Sequence, residues 1–507
     1  MVGKKLLVIL VFAVIIASSA AVIVTTVNNK EVKISYEVDG DNTAGVDNVT
    51  GNPVRLTIPS EIVSDGKTYP VTHIKYGALD KCNRLEYLDL PSTMEYIEDG
   101  VLDSRFSLKE INVAEGNEFY KSVDGVLFDA NGSLLVKYPA SKNVESYTVP
   151  EKAWNIMDMA FYGASGLKEI NLHDGIYSFG NYTFKDCKNL RSVTIPESLS
   201  TIGMGSFNGC SSLESIEVAD ANKNYESDNG VLYQIGGYKL LQYPVGSSAA
   251  SFELPDIVIG IAEGAFAGCT SLKEITLNKN LIDIGARAFE GCTSLTTVHN
   301  DSCLQVMAGS DMYGSVAKYA SDVDGSVGTY VGEDGFAYSY NMDSRIAQIT
   351  GYHGAETALF VDPTVNIMDV DYEINSVGMM AFLGSDVERV YLPTTVMSVS
   401  ATAFYGCSSM TEFCAQNLLY IGVSAFTGCD SLADVDLEMG ISFIDEYAFD
   451  GVSTIELIVF NAGLIFIGDN AFNGMVFYDG DTEVVPTADR MSGTLWKGDG
   501  DGKLHSA

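Results

Sequence analysis

Phe-x-Gly-Cys returns along this chain about every 23 residues, and no other feature limits the fold as tightly. Ala265-Phe266-Ala267-Gly268-Cys269-Thr270-Ser271-Leu272 is followed by Ala288-Phe289-Glu290-Gly291-Cys292-Thr293-Ser294-Leu295. Phe161, Phe184 and Phe207 keep the same spacing, and Phe382, Phe404, Phe426, Phe449 and Phe472 resume it at 22 or 23 residues. A fixed period of this length marks a stacked solenoid, in which each repeat is one coil and buries its apolar face only against its neighbours. Length alone, 507 residues, suggests several domains, but a solenoid grows by adding coils around one elongated core.

One coil can be read residue by residue. In Leu272-Lys273-Glu274-Ile275-Thr276-Leu277-Asn278-Lys279-Asn280-Leu281, Ile275 and Leu277 alternate with Thr276, which predicts a short strand with one face inward. The run fits L-x-x-L-x-L-x-x-N-x-L, the leucine-rich repeat pattern. Ile282 and Ile284 alternate again and predict a second short strand, ending at a glycine corner that recurs at Gly203, Gly285, Gly422 and Gly468. Ala286 to Cys292 then closes the coil as a helical turn or loop, with Phe289 pointing to the axis.

Seven of the nine cysteines share one place in the repeat: Cys82, Cys187, Cys210, Cys269, Cys292, Cys407 and Cys429. A fixed position in every coil is a packing position, where free Cys acts as a small apolar side chain. A disulfide framework would show irregular spacing instead. Only Cys303 and Cys414 fall outside this ladder.

Phe-x-Gly-Cys-x-x-Leu-x-x-Ile-x-Leu followed by x-x-Ile-Gly-x-x-Ala-Phe resembles the BspA-like leucine-rich repeat family of microbial surface proteins. The resemblance covers about residues 54–475, with Asn-Leu-His at 171–173 and Leu-Glu-Met at 437–439 departing from the usual Ile-Pro after the first strand. It implies a cell-surface protein associated with adhesion or with the cell envelope.

The expected architecture is therefore a β-rich α/β solenoid, a leucine-rich-repeat superhelix of about 12 coils of 22–23 residues, with inserted β-hairpins and terminal caps. Residues 76–475 form the solenoid and residues 28–75 an N-terminal capping hairpin region. Arg55-Leu56-Thr57-Ile58-Pro59 and Lys67-Thr68-Tyr69-Pro70-Val71, joined around Asp65-Gly66, read as that hairpin. Residues 476–507 read as a C-terminal cap and loose tail. Hairpin insertions are expected near 117–140 and 222–245, where Asp124-Gly125-Val126-Leu127-Phe128 and Asn229-Gly230-Val231-Leu232-Tyr233 each lead to a Tyr-Pro. A third is expected near 325–352, inside the longest break in the period, after a degenerate coil at Met312-Tyr313-Gly314.

Lys4 and Lys5 precede an uncharged run from Leu6 to Val27, so residues 1–27 read as a signal peptide or an N-terminal membrane anchor. Either places the rest of the chain outside the cytoplasmic membrane, with membrane contact only through residues 6–27 if they are uncleaved. Asn48, Asn131, Asn181 and Asn300 stand in N-glycosylation tripeptides.

The net charge of −37 repels nucleic acid and anionic lipid. The outward position of the first strand forms a ladder through Asp89, Asn112, Asn171, Thr194, Glu217, Thr276, His299, Tyr391, Cys414, Asp436 and Val459, mixed in chemistry. Five histidines form no metal-ligand pair, and the chain has neither a nucleophile elbow nor a phosphate-binding loop. Cys303 with His299 or His353 is the one conceivable nucleophile–base grouping. We therefore expect no enzyme, no cofactor and no catalytic, cofactor-binding or metal site residues. The expected function is protein–protein or cell adhesion through extracellular protein or glycan partners; the alternative is a structural envelope component that self-associates.

Overall fold

The long strand of each coil forms where apolar residues alternate, and it buries that alternation. In Glu274–Leu277, Ile275 and Leu277 are buried while Glu274 is exposed. The computed structural model describes residues 20–27, 30–437, 440–460, 463–479, 482–487, 491, 495–498 and 503–506. These divide into two compact units. Unit 1 holds the described residues up to Leu232 with Gln242–Ser248 and Ala265–Cys269; unit 2 holds Tyr233–Leu241, Ala249–Gly264 and the described residues from Thr270 onward.

Long strands pair in parallel, coil to coil, in groups of three and four in unit 1 and of four and five in unit 2. Those sixteen rungs among the described residues exceed the expected twelve coils, because the hairpin regions hold coils too. Around residue 138, Leu134 and Leu135 pair in parallel with Asn155 and Ile156, as the second strand of any coil would. Tyr138 then stands where the next coil has Phe161, its ring stacked 4.9 Å away, and Tyr243 stands likewise 4.9 Å from Phe266. The hairpins themselves are real. Tyr120–Val123 pairs antiparallel with Val126–Asp129 around Asp124-Gly125, both residues at positive φ. Val327–Val331, Phe336–Asn341 and Ile346–Tyr352 form a three-stranded antiparallel set in unit 2.

The closing segment is not helical, which corrects the α part of the expected α/β solenoid. Two residues before each closing Phe sits a residue in the left-handed region: Met159, Tyr182, Arg287, Met380, Thr402, Ser424, Tyr447 and Asn470 have φ between 54° and 57°. A second left-handed residue follows the Phe by two, as at Gly163, Gly291 and Gly428. Successive αL residues cannot propagate a right-handed helix. They turn alternate amides toward the next coil instead. The N–H groups of Thr402, Phe404 and Gly406 donate to the carbonyls of Val423, Ala425 and Thr427 at 2.8–2.9 Å. The short helical turn Met312–Ser315 has Tyr313 and Gly314 at positive φ. There Phe289 N–H donates to Gly314 O, the bond other coils make to the Ala, Thr or Ser before the next Phe, so this is a degenerate coil.

The axis is a column of rings. Phe161–Phe184 and Phe184–Phe207 stack at 5.1 and 5.6 Å in unit 1. Phe382, Phe404, Phe426, Phe449 and Phe472 stack at 4.7–5.2 Å in unit 2. The cysteine beside each ring donates its thiol to the carbonyl of the preceding Phe: Cys187 to Phe161 at 3.2 Å, Cys210 to Phe184 at 3.1 Å, Cys407 to Phe382 at 2.9 Å. All nine cysteines are free, and all but Cys414 are buried.

The ends are closed by strands. At the N-terminal end the hairpin is Glu61–Ser64 with Lys67–Ile74, turning at Asp65-Gly66. Arg55–Thr57 is not its first limb, as expected, but the first rung of the long-strand ladder, because Leu56 and Ile58 face the core in register with Leu88 and Leu90. Ala20–Val27, the end of the apolar N-terminal run, is a strand antiparallel to Lys30–Val38; residues 1–19 of the expected leader or anchor lie outside the described residues. At the C-terminal end Phe477 stacks edge-on against Phe472 and Trp496 against Phe477, extending the ring column into the cap. Leu495–Gly498 and Lys503–Ser506 pair with each other there, so this part of the expected tail belongs to the cap.

Candidate interaction face

Each coil presents two outward ladders. The long-strand ladder has the register expected from sequence: Asp89 opposes Asn112, Thr194 opposes Glu217, Thr276 opposes His299, and Tyr391, Cys414, Asp436 and Val459 follow one another. Its polar groups bond along the ladder. Arg55 Nη1 lies 2.8 Å from both carboxylate oxygens of Asp89, which also accepts from Thr57 and Asn112. His299 lies between Asp324 (Nδ1–Oδ2 2.6 Å) and Glu274 (Nε2–Oε1 2.7 Å), and these two carboxylates raise its pKa above the ordinary histidine value.

That engagement leaves His299 on the exposed face. Cys303 is buried, its thiol directed at the carbonyl of Ile346 at 3.7 Å and pushed by burial up to about 12. A thiol so held is not an activated nucleophile. Among the described residues no three His, Cys, Asp or Glu side chains converge as metal ligands. Of the four glycosylation tripeptides, Asn300 is fully buried with its amide bonded to Leu304 O, whereas Asn131 and Asn181 are exposed.

The second outward ladder is that of the short strands. In unit 1 it has two separate runs: Tyr96 pairs with His73, and Leu134, Asn155, Ser178 and Thr201 pair in turn in another sheet. Beside it lies a cavity of about 640 Å³ lined by Ile97, Glu98, Asp99, Asp103, Lys137 and Asp158, among others of the same unit. Lys137 is its one lining cation. It is 3% exposed, donates to Met159 O at 2.6 Å and lies 3.9 Å from Asp103; burial lowers its pKa to about 8, against the pull of Asp103. Burial raises the Asp103 carboxyl; Lys137 opposes this, and Asp99 and Asp158 add to it. The field in the cavity is negative.

In unit 2 the same ladder, Ser376, Ser398, Tyr420, Phe443 and Phe466, is covered from within the unit. Tyr238 stacks on Phe443 at 3.9 Å and lies near Tyr420 and Phe466, with Ile259 and Ile282 beside it. Gly236 brings its backbone against the Phe443 ring, where an added Cβ would meet Cζ at 2.5 Å. Asn375 Nδ2 donates to Lys279 O at 3.1 Å. Burial raises the carboxyls of Asp283 and Glu446, and Lys239 lowers both.

A family model described as BspA type leucine rich repeat region matches residues 66–128, 138–231, 245–319 and 357–477, in six copies and over more than half of the chain. The chain belongs to this BspA-type leucine-rich repeat family. Solved structures similar to this leucine-rich repeat protein include a leucine rich cell surface protein from Faecalibacterium prausnitzii A2-165, at 20% identity over 89% of this chain and 92% of that one, with a TM-score of 0.25. A leucine-rich repeat protein from Bacteroides ovatus matches at 20% identity over 79% and 92%, with a TM-score of 0.34. The pneumococcal vaccine antigen PcpA matches at 16% over 85% and 92%, also at 0.34. No curated protein sequence matches the chain.

Proposed function

We propose that this leucine-rich repeat protein is a non-enzymatic cell-surface protein that mediates protein–protein or adhesion contacts outside the cell, exported through residues 1–27. The observation that carries this reading is the pair of outward ladders, set in register by the coils and lined with side chains that differ from rung to rung. A mixed ladder on a rigid backbone offers many side-chain combinations and no reaction centre, which suits recognition of a macromolecular surface. Membership of a repeat family that is typically non-enzymatic and includes surface proteins supports it. No helix among the described residues is long and apolar enough to cross a membrane.

The test is binding of purified residues 28–507 to immobilised extracellular proteins and cell-wall glycans, alongside sedimentation of the protein alone. Saturable binding of the monomer to a foreign surface is the expected result. Self-association at micromolar concentration with no foreign binding would overturn this reading in favour of an envelope component.

A further inference from the structure

Two stretches of the chain occupy the same place in their coils and share a pattern: aromatic, Ile, acid, acid. In unit 2 this is Phe443-Ile444-Asp445-Glu446, and in unit 1 it is Tyr96-Ile97-Glu98-Asp99. Both begin with the short strand of their coil, Phe443–Ile444 and Tyr96–Ile97. The unit 2 copy is occupied: Tyr238 lies on the Phe443 ring, and the adjacent Lys239 acts on the Glu446 and Asp283 carboxyls. Phe443 is consequently 2% exposed. The unit 1 copy has its aromatic ring 46% exposed although one face stacks on His73 at 4.6 Å, and Asp99, Asp158 and Thr201 are exposed around the adjacent 640 Å³ cavity.

We infer that the short-strand face of unit 1, from Tyr96 to Thr201, is a docking surface for an extended segment of a partner protein that carries an aromatic residue beside a lysine or arginine. The inference rests on the protein-binding reading above and names the partner's chemistry. Charge selects the occupant. Glu98, Asp99, Asp103, Asp129 and Asp158 line the cavity, against Lys137 alone, which already donates to Met159 O. A cationic side chain entering beside Asp99 and Asp158 offsets their mutual repulsion and the smaller part they add to the burial that raises Asp103. An aromatic neighbour packs on the exposed part of the Tyr96 ring, one face of which is already stacked on His73 at 4.6 Å, as Tyr238 packs on Phe443.

The probe is a fluorescein-labelled peptide Gly-Gly-Tyr-Lys-Leu-Leu, which copies residues 236–241, titrated into the full chain by fluorescence anisotropy. Saturable binding is expected. It should weaken at least about tenfold with the Glu98→Gln, Asp99→Asn, Asp158→Asn triple variant, in about 0.5 M NaCl, and when the peptide lysine is replaced by glutamate. Asp99→Lys, at one exposed position, should weaken it as well and guards against misfolding of the triple variant. Absence of saturable binding, or equal binding by wild type and both variants, overturns the inference; equal binding would mean that the peptide displaces Tyr238 in unit 2. Retained binding of the triple variant to a foreign surface, with no peptide binding, would sink this site and leave the broader reading standing.

Discussion

Tyr96-Ile97-Glu98-Asp99 and Phe443-Ile444-Asp445-Glu446 fill equivalent places in the two units, yet one aromatic ring is half exposed and the other is sealed. Both strands pair in parallel with the preceding coil, but Tyr96–Ile97 has that one strand partner while Phe443–Ile444 is paired on both sides. The larger contribution comes from what lies outside the ladder. Unit 2 lays Tyr238, Ile259 and Ile282 over its own short strands, and its ladder residues there, Tyr420, Phe443 and Phe466, are aromatic to match. Unit 1 has Asn155, Ser178 and Thr201 at those positions, residues that tolerate water. One solenoid face can therefore serve as internal packing or as a free surface, and the chemistry of the outward residue selects between them.

The largest effect that tests this contrast is Phe443→Ala. Removing a buried ring that touches Tyr238 should cost about 3–5 kcal/mol, read as a lowered urea midpoint, whereas Thr201→Ala in unit 1 should change stability by less than about 0.5 kcal/mol. Equal small losses would break the contrast.

Lys137 sharpens it at the unit 1 cavity. Its folded pKa is depressed to about 8, so above that pH the unfolded chain binds more protons than the folded one. Stability should rise from pH 8 toward the ordinary lysine range, near about 10.4. Lys137→Met should remove that rise, a difference on the order of 1–3 kcal/mol between pH 7 and 10. Parallel pH profiles for the two proteins would contradict the buried, charged lysine.

His299 gives the smallest effect. Its pKa is raised by Asp324 and Glu274, so its contribution is fully present below about pH 6.5 and is lost as pH rises through the folded value. His299→Gln should flatten that dependence by less than about 1 kcal/mol, because the site is partly exposed. An imidazole resonance titrating at or below the ordinary value would contradict the pairing.

Much of this was legible in the sequence. The period placed Phe184 and Phe426 on the axis with Cys187 and Cys429 in their respective coils, and the alternation in Glu274-Ile275-Thr276-Leu277 fixed the long-strand register. Tyr138 and Tyr243 were harder to see, since their coils lack the Phe-x-Gly-Cys phrase and only stacking reveals them as its equivalents. The closing turn looked compatible with helix because Ala-Phe runs favour one; the αL residues at Arg287 and Gly291 depend on bonds to the next coil, which one repeat cannot display. The second short strand was predicted from Ile282 and Ile284, but with two residues per coil it shows one outward side chain, which a single repeat does not mark as a ladder. The change from Asn155, Ser178, Thr201 to Tyr420, Phe443, Phe466 was nonetheless available by aligning the coils. What covers Phe443 was not, because Tyr238 lies some two hundred residues earlier in the chain.

The contrast between the two faces can be measured most directly by thiol labelling. Ser178→Cys and Ser398→Cys place a thiol at the same ladder position, one partly exposed and one 3% exposed, in a protein whose native cysteines are buried except Cys414. In the native protein a small maleimide should modify Ser178→Cys promptly and leave Ser398→Cys as protected as the native buried thiols. Equal rates for the two variants, fast or slow, would contradict the account.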